Sequence, residues 1–411
     1  MNRTFLAPLM RWAETTATLY SSPASVLSQL PFAQRIAAGY ELLYRLGKEY
    51  EKPEFDLKET LVGDQTIGIV EEITVTKPFC QLIHFKKDLP AKQLAALKQP
   101  KVLVVAPLSG HHATLLRDTV RSLVREHDVY ITDWADARMV PLEAGPFHLH
   151  DYVYYVQDFI RALGPDVHVI SVCQPTVPVL AAVALMATAK DSNLPKSMTM
   201  MGGPIDGRES PTEVNDLATD KPFSWFENTV IYSVPPKHPG AGRKVYPGFL
   251  QHTGFVAMNP RRHAQSHWDF YMHLREGDNE SAEMHRKFYD DYNAVLDLPA
   301  EFYLETIKVV FQDFNLPLGT WEIGGELVRP QDIKTVALLT IEGELDDISG
   351  PGQTHAAHEL CSGIPKAKKL QFTAEKCGHY GIFSGRRWRE IICPEITAFI
   401  KANTRPEAAS K

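Results

Sequence analysis

The stretch that most restricts this chain is Val167 to Lys190, VHVISVCQPTVPVLAAVALMATAK. It opens on a β-branched run, passes through Cys-Gln-Pro and closes in a Leu/Ala/Val segment of helical character. That pattern reads as strand, sharp turn and helix, with Cys173 at the turn. Such a turn holds a nucleophile clear of a sheet and is usually written G-x-S-x-G. Here it reads Ser171-Val172-Cys173-Gln174-Pro175, and neither G-x-S-x-G nor G-x-C-x-G occurs anywhere else in the chain. The site is therefore here in altered form or absent.

Three plainer readings compete. Val167 to Ala189 carries no charged residue, but Pro175 and Pro178 interrupt it. The segment after them, at ~1.5 Å per residue, reaches about 18 Å, short of the roughly 30 Å hydrocarbon core. Cys173 as an inert core thiol is the default for a lone cysteine; the partners identified below weigh against it. A redox thiol would want a C-x-x-C pair, and there is none.

Length allows a large core and two or three domains. A composition of 44% hydrophobic and 23% charged residues is that of a soluble globular chain, and a net charge of -7 argues against nucleic acid as the main partner. The start, MNRTFLAPLMRWAETT, is too short in apolar residues for a signal peptide. Five widely spaced cysteines (Cys80, Cys173, Cys361, Cys377, Cys393) suggest reduced thiols in a cytoplasmic protein. No metal-ligand spacing stands out; His111-His112 and His148-x-His150 read as polar loop residues, so no metal and no cofactor is expected.

Residues 1 to about 55 read as helical, and 1–95 as an N-terminal helical segment plus an edge hairpin running from Gln65 to Phe85. A short, wholly apolar run then stands at Val102–Ala106, and similar runs recur at Val129–Ile131, Val167–Val172, Met198–Met201, Val336–Ile341 and Leu370–Phe372. Helical patterns separate several of them: Leu115–Val124, Tyr152–Leu163, Val179–Ala189, Thr354–Leu360 and Arg387–Ile400. Alternation of this kind implies an α/β fold with a mostly parallel sheet and helices on both faces. The alternation lapses between about Asp206 and Asp332, an aromatic-rich stretch including Phe223, Trp225, Tyr246, Phe255, Trp268, Tyr303 and Trp321. The expected organisation is a core in two parts, 96–205 and 334–403, an inserted helical cap at 206–333, and a polar tail at 404–411. Most of the aromatics would form the cap's own core, and a minority would line an apolar cleft. Gly240-Ala241-Gly242 reads as a loop and Arg261-Arg262-His263 as a solvated face.

A Cys nucleophile needs a base and a group to orient it. In the α/β-hydrolase fold these follow in the order acid, then His, on loops after late strands. Val336–Ile341 runs into Gly343-Glu344-Leu345-Asp346-Asp347, and Leu370–Phe372 runs toward Cys377-Gly378-His379-Tyr380-Gly381. Asp346 is preferred to Asp347 by its place between Gly343 and Ile348, and Gly378 and Gly381 would permit a tight loop aiming His379 over the sheet. His379 would draw the proton from Cys173, helped by a helix N-terminus near Gln174. The oxyanion donors would be the Gln174 amide and, from the loop after the first buried strand, that of Leu108 or Ser109. Cys377 is a rival nucleophile without the strand–turn–helix context.

These residues resemble the intracellular polyhydroxybutyrate (polyhydroxyalkanoate) depolymerases. The resemblance rests on SVCQPTVPVLAAVALMA (171–187), PLSGHHATLLRDTV (107–120), YPGFLQHTGFVAMNPRRH (246–263), GELDDISGPGQT (343–354) and CGHYGIFSGRRWR (377–389), which together span about Lys101 to Pro394. It implies a capped α/β-hydrolase fold that cleaves ester links of storage polyester at cytoplasmic granules. Its Cys-Asp-His triad maps onto Cys173, Asp346 and His379, and the altered turn at Ser171 and Pro175 is what that family's own box looks like. Partners would be the granule surface and the polyester chain, with no nucleic acid, no transmembrane segment and a possible homo-oligomer. Polyester acyl transfer, as thiolysis to hydroxyacyl-CoA or as synthesis, is one alternative; a non-catalytic granule-binding protein is another.

Overall fold

The structure, a computed structural model, describes residues 7–258 and 260–404. The polar tail beyond 404 and the side chain of Phe255 lie outside the described residues.

A strand whose side chains are all apolar must be covered on both faces, because successive residues point to opposite sides. That condition decides the architecture. One sheet holds nine strands: β1 (Glu59–Val62), β2 (Gln65–Lys77), β3 (Cys80–Lys87), β4 (Lys101–Val105), β5 (Asp128–Trp134), β6 (Val167–Val172), β7 (Ser197–Met201), β8 (Ala337–Gly343) and β9 (Lys369–Ala374). Their order is β1-β2-β3-β5-β4-β6-β7-β8-β9. From β5 to β9 all pairs are parallel, with Val104 beside Ile131 on one side and Ile170 on the other. The first three strands are antiparallel, as the alternating pattern of the hairpin predicts, and Gly63 at φ 59° turns β1 into β2. Every residue of β6, β7 and β8 is buried. The helix Thr176–Thr188 is buried at every position from 176 to 186, so its uncharged face all round is that of a helix inside the core. No helix among the described residues is long and apolar enough to cross a membrane. With helices such as Leu149–Leu163, Thr176–Thr188 and Cys393–Thr404 between and beyond the parallel strands, this is the α/β-hydrolase arrangement.

The chain divides into two compact units: 54–248 with 296–411, which carries the sheet, and 1–53 with 249–295. The sheet unit also contains the helices Glu213–Asp220, Phe223–Thr229 and Ala300–Thr306 and a small sheet of Tyr232–Ser233, Lys244–Tyr246 and Leu298–Pro299. Gly240-Ala241-Gly242 is a turn there, as expected.

The smaller unit is helical. Ala7–Ser21 packs on Ala33–Gly47, where a Cβ on Gly47 would lie 2.2 Å from the Met10 sulfur and Trp12 meets Tyr40 edge-on at 4.9 Å. Two further helices, Pro260–Glu276 and Asn279–Asn293, complete it. The buried Arg45 donates to the Arg286 carbonyl at 2.9 Å and to Asp290 at 2.8 Å, while Arg286 grips both oxygens of Glu41.

Candidate active site

In a parallel sheet the strand C-termini share one edge, and loops leaving that edge carry ligand-facing groups. The sequence-expected residues leave the ends of β4, β6, β8 and β9.

At the end of β6 the chain reverses through Cys173, whose φ of 69° is left-handed and unusual for a residue with a Cβ. Its N–H donates to the Met201 carbonyl at 2.7 Å and its carbonyl accepts from Thr176 at 3.1 Å. The neighbouring strand end makes room for this turn. A Cβ on Gly203 would lie 1.8 Å from Thr176 Oγ1 and 2.4 Å from the Cys173 carbonyl; one on Gly202 would lie 2.6 Å from Ile382 and 3.3 Å from both Asp346 Oδ2 and His379 Cε1. The two glycines that the usual box places beside the nucleophile thus have counterparts just past the end of β7. The helix begins at Thr176 with Pro175 as its N-cap, two residues later than the expected start near Gln174.

The acid loop is held from below. Glu342, buried near the end of β8, accepts backbone N–H bonds from Gly352, Thr354 and His355 at 2.8–2.9 Å. Above it, Asp346 Oδ1 accepts from the amides of Ile348 and Ser349 at 2.9 Å each, which leaves Oδ2 for His379 Nδ1 at 2.8 Å. Asp346 is 6% exposed; Asp347 is exposed and takes no part in that contact. His379 is 4% exposed, and Cys173 lies close enough to act on its protonation. Burial alone would push its imidazolium down, but the Asp346 carboxylate and the Cys173 sulfur beside it outweigh this and hold its pKa well above the ordinary histidine value. The structure therefore brings Cys173, His379 and Asp346 to the same strand ends, with His379 hydrogen-bonded to Asp346. The left-handed residue of the histidine loop is Lys376 at φ 50°, whereas Gly378 sits at −88°. Gly381 is needed for space, since a Cβ there would lie 2.7 Å from Cys377 Sγ.

The rival thiol is buried. Burial pushes Cys377 up, and likewise Cys393, to about 11, and Cys361, to about 12. Among the five free cysteines only Cys173 is partly exposed.

Around Cys173 the amides of Gln174 and Ser109 donate to nothing within the described residues. The Leu108 amide is different: it donates to the Gln174 side-chain oxygen at 3.3 Å. That oxygen stands where the Leu108 N–H would hold an oxyanion, which sequence reading had no means to anticipate. The loop is braced at Gly110, whose carbonyl accepts from Leu296 at 2.8 Å.

His148 and His150, expected to be loop residues, are the N-cap and the second residue of the helix Leu149–Leu163.

Residues 202–404 match a family described as PHB de-polymerase C-terminus. No curated protein matches the chain. Among solved structures it is similar to a monoacylglycerol lipase of Paleococcus ferrophilus (14% identity, 74% of this chain and 96% of that one, TM-score 0.45). A putative lipase of Acinetobacter baumannii AYE is 12% identical over 82% of this chain and 93% of its own, with TM-score 0.43. Naproxen esterase of Bacillus subtilis is 11% identical over 89% and 96%, with TM-score 0.41. Similarities of that size bear on neither substrate nor residue roles. The family match takes in Asp346 and His379 and stops short of Cys173. Over residues 202–404 the chain is similar to the PHB depolymerase family, and it is a carboxylic ester hydrolase of the α/β-hydrolase fold.

Proposed function

We propose that the protein cleaves the ester bonds of polyhydroxybutyrate-type storage polyester through an acyl-Cys173 intermediate. The observation that carries this reading is the buried Asp346–His379 pair set beside the partly exposed Cys173 at the strand ends. His379 takes the thiol proton, and the thiolate attacks the ester carbonyl to form a C–S bond. The developing oxyanion is held by the amides of Gln174 and of Ser109 or Leu108, each donor worth about 3 kcal/mol. Collapse expels the alcohol end of the polymer, protonated by His379. A water molecule, deprotonated by the same imidazole, then hydrolyses the thioester, releasing a hydroxyacid or oligomer and restoring the thiol. Asp346 fixes the imidazole so that its other nitrogen faces the sulfur, and stabilises the imidazolium.

The parts of the aromatic-rich stretch that lie within the sheet unit, 206–248 and 296–332, are the proposed cap over the polyester chain. The proposed partner is the surface of a cytoplasmic storage granule. The scheme uses no metal and no cofactor.

Release of 3-hydroxybutyrate from amorphous polyester granules, measured with and without coenzyme A and with and without a chelator, tests the reading. Release in plain buffer that survives the chelator is expected. Release only with coenzyme A would move the acceptor from water to a thiol, and no release from wild type under any of these conditions would overturn the scheme.

A further inference from the structure

The helix Leu149–Leu163 is already capped: Asp151 Oδ2 accepts from the His148 N–H at 2.8 Å, closing a capping box with the His148 side chain. A second carboxylate nevertheless arrives from the helix Ala300–Thr306. One oxygen of Glu305 accepts from the Leu149 N–H at 2.8 Å, and the other meets His148 Nδ1 at 2.6 Å. The His150 ring lies parallel to that of His148, with centroids 5.0 Å apart and planes 12° from parallel. One nitrogen of each imidazole and one oxygen of Glu305 all lie within 4.8 Å of one another.

We propose that His148, His150 and Glu305 bind a divalent transition-metal ion, Zn²⁺ by the chemistry of its donors. Two imidazoles and one carboxylate suit Zn²⁺, whereas Mg²⁺ and Ca²⁺ call for oxygen ligands. Zn–N and Zn–O bonds of about 2.0–2.2 Å put ligand atoms roughly 3.3–3.5 Å apart around one ion. His148 and Glu305 therefore open by less than an ångström from their present contact, the proton between them giving way to the ion, while His150 turns inward. The Leu149 amide holds the second oxygen of Glu305 and so orients the first, the service an outer-shell donor gives a ligating carboxylate. Three protein ligands leave a fourth position. A cavity of about 360 Å³ opens beside it, lined by His150, Glu305, Asn315, Trp321 and Glu322, with room for water or an exchangeable donor. Bound metal would staple two helices of the sheet unit whose ligands are 157 residues apart in sequence.

The site shares no residue with Cys173, His379 and Asp346, and the proposal stands without the ester-hydrolase reading. The test is calorimetric titration of the full chain with ZnCl₂, beside a thermal melt. Both are repeated in Cys173→Ala, so that the partly exposed thiol does not compete, and in His150→Ala. The last variant removes a ligand but keeps the His148–Glu305–Leu149 contacts that order the helix start. The expected result is one Zn²⁺ per Cys173→Ala chain with low-micromolar or tighter affinity, a rise in Tm on binding, and at least tenfold weaker binding in His150→Ala with its metal-free Tm unchanged. No binding by Cys173→Ala up to 100 μM Zn²⁺, or equal affinity in His150→Ala, would overturn the proposal.

Discussion

In the sheet unit, β6, β7 and β8 bury every side chain, and most of what they bury is apolar. In the unit formed by 7–53 and 249–295, the interior is built differently. Arg45 lies buried against Asp290, Arg286 clasps Glu41, and His263, His267 and His285 are enclosed among Phe270, Tyr289 and Tyr292. Both units bury polar groups, but to different effect. In the sheet unit Glu342, Asp346 and His379 cluster at strand ends, with Asp346 and His379 aimed toward a thiol held in a left-handed turn. In the helical unit the polar contacts join helix to helix. Buried polarity alone does not mark an active site; its convergence on a strand-end nucleophile does.

The largest expected effect separates the two kinds of polarity. Asp346→Asn would keep the shape and lose the charge that holds the imidazole; we expect kcat/KM on a soluble short-chain ester to fall about 10³–10⁴-fold. Asp347→Asn, at an exposed position, should stay within about twofold of wild type. Comparable losses from both would dissolve the distinction drawn at this loop.

Next comes packing against pairing. Ile170→Ala removes a fully buried side chain from the central strand and should cost about 2–5 kcal/mol by denaturant unfolding. Arg286→Ala opens a part-exposed bidentate pair and should cost about 1–2 kcal/mol, with turnover of the same soluble ester unchanged within twofold. If Arg286→Ala costs more than Ile170→Ala, the helical unit is no less tightly specified than the sheet.

Acid should act on the units unequally. Burial lowers His263 and His267 and takes His285 to about 3, so these rings take up a proton less readily in the fold than in the unfolded chain, where they titrate near the ordinary value of about 6.5. Below that value the unfolded state binds more protons, and stability falls with pH. His127 and His168, both lowered to about 4 by burial, bring the same loss to the sheet unit, but spread over a much larger core. His379 has the opposite sign. Its raised value means that its pairing with Asp346 contributes fully below the ordinary histidine pKa and is lost only as pH rises through the raised one. Hydrogen exchange at pH 5 against pH 7.5 should therefore show protection lost first in Pro260–Glu276 and Asn279–Asn293. Earlier loss in β6–β8 would contradict this.

The smallest effect concerns the oxyanion loop. Gln174→Ala frees the Leu108 amide and should change the rate of acylation by a p-nitrophenyl ester about three- to tenfold, with the rate of Cys173 alkylation by iodoacetamide unchanged. An equal change in both rates would mean that the side chain acts on the turn and not on the donor.

Much of this sheet is readable from sequence because complete burial leaves short, mainly apolar runs without charge. The expected Val102–Ala106, Val167–Val172 and Met198–Met201 fall within a residue of β4, β6 and β7. Asp346 and His379 were legible as residue types at loop positions after such runs. The pairing of 7–53 with 249–295 was not, because contacts such as Arg45 to Asp290 span 245 residues and leave no periodic trace. Glu305 beside His148 was hidden for the same reason. Gln174 was singled out for its backbone; its side chain's hold on Leu108 depends on how two loops meet, which no local pattern encodes.

The most direct test of the central claim is hydrolysis of a soluble short-chain ester and of amorphous polyester granules by wild type beside Cys173→Ala. Both proteins should first show the same circular dichroism and melting behaviour. The account predicts turnover by wild type and none above background from Cys173→Ala, with a covalent acyl adduct on Cys173 of the wild type seen by mass spectrometry. Full activity in Cys173→Ala, or an adduct on Cys377 instead, would contradict it.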